Sequence, residues 1–107
     1  MSTAFTVIAF LYPRPEKLDR AIEVAEELIS YVKDNEPGTL TYEWYKTVDE
    51  AGAVRLTVFE KYSSKEAFDA HAGSSVFAET FRKMKEEDLL ASESKIETPE
   101  QVGGFRR

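Results

Sequence analysis

The segment from Ala4 to Tyr12 has apolar residues at both alternating sets of positions, in the run AFTVIAFLY. Alternate residues of a β-strand point to opposite faces of a sheet, so this strand would be apolar on both faces. Strands of this kind are buried on both sides. The chain must therefore form a fold in which both faces of the sheet are covered.

In the segments that follow, the spacing of apolar residues changes between that of a helix and that of a strand. Pro13 and Pro15 end the first strand and open an amphipathic helix over 16–35. Two strands, over 39–47 and 53–62, follow on either side of a hairpin-length turn, and we expect them to pair antiparallel.

A second helical region is broken by a glycine. Ser63 and Glu66 have the spacing of a capping box, which predicts the start of a short helix that ends at Gly73. Ser74 or Ser75 then caps a further helix, which the pattern extends to about residue 90.

A short last strand over 92–98 completes the order β-α-β-β-α-β, and residues 99–107 form a tail. This order predicts an α+β, ferredoxin-like fold: a four-stranded antiparallel sheet with its helices on one face. The other face needs cover, and a homodimer packed sheet to sheet is the simplest cover. We therefore expect one domain over 1–107 that pairs with a second copy.

Composition restricts the chemistry. The chain has 107 residues and no cysteine, which excludes disulfides, zinc–thiolate sites, iron–sulfur clusters and thiol nucleophiles. A net charge of −6 argues against nucleic acid or an anionic membrane as the main partner. No apolar run approaches membrane-spanning length. We expect a cytoplasmic protein.

Several short pieces occur in a characteristic order. They are Glu36-Pro-Gly38, Tyr42-Glu43-Trp44-Tyr45, Glu60-Lys-Tyr62, Ser64-Lys-Glu-Ala-Phe68, Ala70-His71 and Ser75-Val-Phe77. Together they resemble the antibiotic biosynthesis monooxygenase (ABM) family of dimeric α/β-barrel proteins. The resemblance implies a homodimer whose sheets pack into a barrel, with a pocket in each subunit between sheet and helices.

The family includes cofactor-free oxygenases of aromatic polyketides and quinols, haem-degrading enzymes and isomerases. The resemblance thus implies a cofactor-independent monooxygenase-like enzyme acting on a small planar phenolic, anthrone or quinol-type metabolite. Such an enzyme supplies a base and a dry pocket, and the deprotonated substrate donates the electrons. The alternatives are a non-oxidative cyclase, isomerase or decarboxylase, and a non-catalytic ligand-binding or accessory dimer.

Two residues are candidates for polar roles on the helices. His71, the only histidine, lies on the inward stripe three residues after Phe68, and would act as general base or hydrogen-bond donor. The alternative is a structural histidine at a helix edge. Arg82 matches a position where the resemblance implies an arginine that stabilises an enolate or peroxide. The alternative is a solvent-facing helix arginine.

Glu60 is the third catalytic candidate. It follows the inward period of its strand, where it would orient His71 or act as a base itself. The alternative is a cross-strand ion pair. Glu43, on the opposite face of its strand, is predicted to serve the dimer interface.

Five aromatic residues are candidates for lining a substrate pocket, although aromatic stripes are usually core. They are Trp44, Tyr42, Tyr62, Phe68 and Phe77.

Three positions depart from the patterns of particular relatives. Val58 stands where anthrone-oxidising relatives have a polar side chain, and Phe68 where they have a tyrosine. Phe81 stands where haem-degrading relatives place their iron-ligating histidine, so haem binding of that kind is not expected. No cluster of histidine and carboxylates predicts another metal.

Overall fold

The computed structural model describes residues 4–107, which form four strands and three α-helices. The strands are β1 (Phe5–Pro13), β2 (Thr39–Val48), β3 (Val54–Tyr62) and β4 (Leu90–Glu97). The helices are α1 (Leu18–Asn35), α2 (Lys65–Ala72) and α3 (Ser75–Glu86), and a 3-10 turn (Pro15–Lys17) leads into α1. Residues 1–3 of the predicted domain lie outside the described residues.

The strands form one sheet in the order β2-β3-β1-β4, and every neighbouring pair is antiparallel. This confirms the predicted ferredoxin-like βαββαβ fold. The register pairs Phe5 with Tyr62 on one side of β1 and Ile8 with Glu97 on the other. The strand that is apolar on both faces is therefore an inner strand of the sheet.

The core lies between the sheet and the helices. The inward residues of β1 and β3 pack against the apolar face of α1 and against α3. Its buried members are Ala9, Leu11, Ala21, Val24, Leu56, Val58, Met84 and Leu89. Removing these apolar surfaces from water is the main force that holds helices to sheet.

The outer face of the sheet carries half-buried apolar side chains. Phe10 and Phe59 lie there, with the Arg55 guanidinium 5.3 Å from the centre of the Phe10 ring and the Lys61 ammonium 5.9 Å from that of Phe59. Cations over aromatic rings shield these rings in the single chain. The structure holds one chain, so the predicted homodimer stays a prediction.

One predicted strand face is interrupted. The sequence pattern places Leu40 on the same face as Tyr42 and Trp44, but the register of β2 shifts between Thr39 and Thr41 and Leu40 is 61% exposed. A β-bulge inserts one unpaired residue and so breaks the alternation. Alternation alone cannot reveal where such a residue is inserted.

The helix caps also differ in part from the prediction. The capping box at Ser63 and Glu66 is wrong, since the Ser64 hydroxyl is the cap and accepts from the Ala67 N–H at 3.1 Å. Of the two serines proposed for the next helix, Ser74 is the cap.

That next helix, α3, ends at Glu86 rather than near residue 90, and the last strand starts at Leu90. Asp88, between the two, has φ 52°, a left-handed conformation that a helix cannot continue through. Within residues 4–107, none of the helices has the length and apolar character needed to cross a membrane.

Candidate functional site

A small cavity lies between the inner face of the sheet and helices α2 and α3. Its volume is about 40 Å³, and its wall is almost entirely apolar or aromatic. The lining residues are Val7, Ala9, Leu11, Tyr42, Trp44, Val58, Glu60, Phe68, His71, Ala72, Phe77, Phe81 and Ile96. The location agrees with the pocket that the family resemblance implies.

His71 projects from α2 into the cavity wall and is 2% exposed. Its Nδ1 lies 2.8 Å from Glu36 Oε1. When Nδ1 donates its proton to this carboxylate, Nε2 of a neutral imidazole keeps its lone pair. Nε2 is thus the nitrogen free to take a proton from a ligand.

Glu36 reaches His71 because the chain after α1 comes very close to α2. A Cβ at Gly38 would lie 2.8 Å from the Ala67 Cβ, so only glycine permits this approach. The Ser63 N–H donates to the Gly38 carbonyl at 2.8 Å and holds the two segments together. The Glu36 carboxylate then sits one helical turn beyond Ala67, at His71.

The second partner of Glu36 is close by. The Thr39 hydroxyl donates to Glu36 Oε1 at 3.1 Å, so this oxygen accepts from both Thr39 and His71. Oε2 is buried and has no hydrogen-bond partner among the described residues. Glu36 was not a predicted site residue, although it stands in the first piece of the family resemblance.

Aromatic rings enclose the imidazole on several sides. Ring centroids lie 5.2 Å away at Tyr42, 5.6 Å at Tyr62 and 5.2 Å at Phe77. Edge-on and tilted contacts of this kind hold a ring in one orientation. His71 is therefore fixed both by a hydrogen bond and by packing.

Glu60 is the second ionisable group in the cavity wall, and it is 5% exposed. The Tyr62 hydroxyl donates a short hydrogen bond to its Oε1. Burial raises the pKa of Glu60 to about 7, the Tyr62 hydrogen bond lowers it and the nearby charge of Glu36 raises it. The group therefore exchanges its proton near neutral pH.

The predicted alternatives for Glu60 can be compared with this geometry. Its cross-strand neighbours are Val7 and Tyr42, and no cation pairs with it in the described part of the chain, so the predicted ion pair is absent there. The role of orienting His71 falls to Glu36 instead. Of the roles predicted from the sequence, the acid–base role is the one that this geometry leaves to Glu60.

The two tyrosines near Glu60 stay protonated. Burial raises the pKa of Tyr42, the charge of Glu60 raises it further, and the nearby indole N–H of Trp44 partly offsets both. No acceptor meets that indole N–H with the geometry of a hydrogen bond in the described part of the chain. Burial and Glu60 likewise raise the pKa of Tyr62. Both hydroxyls therefore act as donors at neutral pH.

The structure brings most predicted pocket residues together. Tyr42, Trp44, Phe68 and Phe77 line the cavity, whereas Tyr62 is fully buried behind it, against Glu60. Phe81, predicted only as a departure from haem-degrading relatives, also lines the cavity.

Arg82, the remaining predicted site residue, does not line the cavity. Its side chain is half exposed and forms ion pairs with Glu79 and Glu86 on the same helix, which is the predicted solvent-facing alternative. The structure therefore gives Arg82 no contact with the cavity. Across residues 4–107, no group of three or more histidine and carboxylate side chains is arranged to hold a metal ion.

The sequence model of the family described as antibiotic biosynthesis monooxygenase matches residues 4–83. The chain belongs to the ABM family. Among curated proteins, none matches this chain. The family assignment agrees with the resemblance seen in the ordered sequence pieces, and every cavity-lining residue except Ile96 lies within the matched region.

Solved structures of other proteins share the fold. A Caulobacter crescentus protein that carries the same family name is 29% identical, with a TM-score of 0.81 over 95% of this chain and 92% of that chain. A conserved protein from Methanosarcina mazei is 26% identical, with a TM-score of 0.77 over 92% of each chain. Rv0793 from Mycobacterium tuberculosis, at 24% identity and a TM-score of 0.78 over 96% of this chain and 99% of that chain, supports the fold alone.

Proposed function

We propose that this ABM protein is a cofactor-independent monooxygenase-like enzyme acting on a small planar aromatic metabolite with an acidic hydroxyl group. The observation that carries the proposal is His71, which lines a small, mainly apolar cavity while Glu36 occupies its Nδ1. A buried histidine with one nitrogen fixed by a carboxylate has the arrangement of a general base.

The first step is removal of a substrate proton. Glu36 keeps the proton on Nδ1, so Nε2 of His71 accepts the hydroxyl or benzylic proton of the substrate. The Glu36 carboxylate then faces the imidazolium that forms and stabilises its charge. The aromatic wall keeps water from protonating the substrate anion again.

The second step is reaction of the anion with dioxygen, which the proposal names as the oxidant. For a methylene substrate of the anthrone type, one oxygen atom becomes the new carbonyl oxygen. The other leaves as water with the two hydrogens removed from that carbon. For a hydroquinone, one oxygen atom is inserted into a ring C–H bond, and the other leaves as water with the two hydroxyl hydrogens, which gives a hydroxyquinone. The substrate supplies all four electrons, so no electron carrier is needed.

The cavity volume points to the smaller members of this substrate class. An apolar cavity of about 150 Å³ can take up benzene, whereas this cavity measures about 40 Å³. A ligand must therefore displace wall side chains to enter. One-ring hydroquinones require less displacement than a tricyclic anthrone, so we rank them first.

Oxygen uptake tests the proposal. We expect the wild-type protein to consume oxygen with methylhydroquinone or a related one-ring substrate faster than autoxidation, and more slowly or not at all with anthrone. Failure to accelerate oxygen uptake with any substrate of the panel would contradict an oxygenase function.

A non-oxidative isomerase or related enzyme is the second candidate, and the position of Glu60 favours it. His71 and Glu60 both line the cavity, and a base together with a group that exchanges its proton near neutral pH can move a proton between two atoms of one substrate. Turnover that continues without oxygen would favour this candidate. The small cavity volume is also compatible with a non-catalytic ligand-binding dimer.

We also propose that a second copy of the chain covers the outer face of the sheet, as the family resemblance implies. Placing a charge at the half-buried Phe59 should disfavour this contact. We expect light scattering to give twice the chain mass of 12.2 kDa for the wild type and less for Phe59→Asp. Ala78→Asp, on the exposed face of α3, is the matched control. A wild-type protein that stays monomeric at tens of micromolar would refute this dimer.

A further inference from the structure

We propose that Glu60 sets the ligand class of the cavity, so that it binds an uncharged hydroxylated aromatic molecule and rejects the same molecule carrying a carboxylate. This inference rests on the proposed function for the identity of the site and deepens it, because it specifies the charge of the substrate. Nothing in the ABM resemblance assigns this role to Glu60.

The cavity offers an anion no favourable partner. Its polar lining consists of Tyr42, Trp44, Glu60 and His71, and neither lysine nor arginine lines it in the described part of the chain. Glu60 Oε1 already accepts from Tyr62, and this is the only hydrogen bond of Glu60 among the described residues. The second carboxyl oxygen of Glu60, Oε2, is thus available to form a hydrogen bond with a ligand.

Among the described residues, no titratable group that faces Glu60 offers a free positive charge to neutralise a ligand carboxylate. Tyr42 on β2 and Tyr62 on β3 are neutral hydroxyls, and Glu36, which precedes β2, is a second carboxylate. His71 on α2 is the only candidate cation among the described lining residues, and its Nδ1 already binds Glu36. The cavity residues on β1, α3 and β4 are apolar.

Burial makes charge in this cavity unfavourable. Burial raises the pKa of Glu60 itself to about 7, which is the same effect that a ligand carboxylate would meet. When Glu60 is ionised, repulsion between the two carboxylates adds to that cost. A ligand ammonium could pair with Glu60, but two buried charges must first lose their hydration.

Three ligands with the same ring separate these effects: methylhydroquinone, 2,5-dihydroxybenzoate and 2,5-dihydroxybenzylamine. They carry a neutral, an anionic and a cationic one-carbon substituent. Calorimetric titration without oxygen measures binding and prevents turnover. At pH 7.5 we expect the methyl compound to bind at least tenfold more tightly than the carboxylate. Equal or tighter binding of either charged ligand would overturn the proposal.

The pH dependence of this difference in affinity tests whether Glu60 is its cause. The discrimination against the carboxylate should grow from pH 6 to pH 8 in the wild type, because Glu60 ionises across this range. It should be independent of pH in Glu60→Gln, and the exposed control Glu50→Gln should behave like the wild type. If discrimination does not change with pH in the wild type, the inference fails, whether or not Glu60→Gln can be purified.

This experiment is separate from the test of the oxygenase. Selective binding of the neutral ligand without oxygen uptake would refute the proposed reaction and support the role of Glu60. Oxygen uptake with equal affinity for neutral and carboxylated ligands would support the proposed reaction and refute the role of Glu60.

Discussion

His71→Ala is expected to lower turnover of a hydroquinone substrate by about 10²- to 10⁴-fold, the usual contribution of a general base. The substitution removes the only imidazole of the chain and leaves Thr39 as the remaining hydrogen-bond partner of Glu36. Initial rates of oxygen uptake at saturating substrate measure the loss, and thermal unfolding checks that the variant is folded.

Two further variants distinguish a chemical role of His71 from a packing role. Added imidazole should restore part of the activity of His71→Ala, because the missing base can enter the space that the side chain leaves. Glu36→Leu should lower kcat with little change in KM, since Glu36 positions His71 and does not line the cavity. Glu36→Gln, whose amide oxygen can still accept from Nδ1, should retain more activity than Glu36→Leu. Unchanged turnover in His71→Ala would remove His71 from the mechanism.

Glu60→Gln is expected to increase the free energy of unfolding, and the increase should depend on pH. The folded-state pKa of Glu60 is raised to about 7 from an ordinary value of 4.5, so the folded protein holds the proton more tightly than the unfolded chain. The contribution of Glu60 to the free energy of unfolding is therefore fully present below pH 4.5. It decreases as the pH rises towards 7. Above pH 7 the loss reaches about 3 kcal/mol, because each tenfold difference in proton affinity between the folded and unfolded states corresponds to about 1.4 kcal/mol.

Urea unfolding at pH 5 and pH 8 measures this difference. The gain of Glu60→Gln over the wild type should be small at pH 5 and approach the full value at pH 8, because glutamine does not titrate. Glu93→Gln, on the exposed part of β4, is the matched control and should show no such change with pH. A pH-independent difference for Glu60→Gln would mean that Glu60 does not titrate between these values.

The fold could be predicted because its main determinants are patterns of apolar residues. Most residues of AFTVIAFLY that face the helices are buried, whereas Ile8, Phe10 and Tyr12 on the outer face are half-buried in the single chain. The errors were local. The bulge at Leu40 and the cap at Ser64 depend on hydrogen bonds to particular neighbours, and a repeating pattern does not specify them.

The site could be predicted only in part. His71 and Glu60 were found because each is an unusual polar residue on an inward face. Glu36 was missed because its role depends on the contact of Gly38 with Ala67, which joins two distant segments. Its place in the Glu36-Pro-Gly38 piece was the available signal. Arg82 was included by resemblance, although Glu79 and Glu86 stand at the spacing of helical ion pairs.

The inner position of β1 has a consequence for how the protein is made. This strand leaves the ribosome before its partners β3 and β4, with Phe5 opposite Tyr62 and Ile8 opposite Glu97. An apolar strand must therefore wait unpaired until the later strands have been synthesised, and contacts between such distant residues form slowly. Unpaired apolar strands are prone to aggregate, so the nascent chain is most vulnerable before β4 emerges.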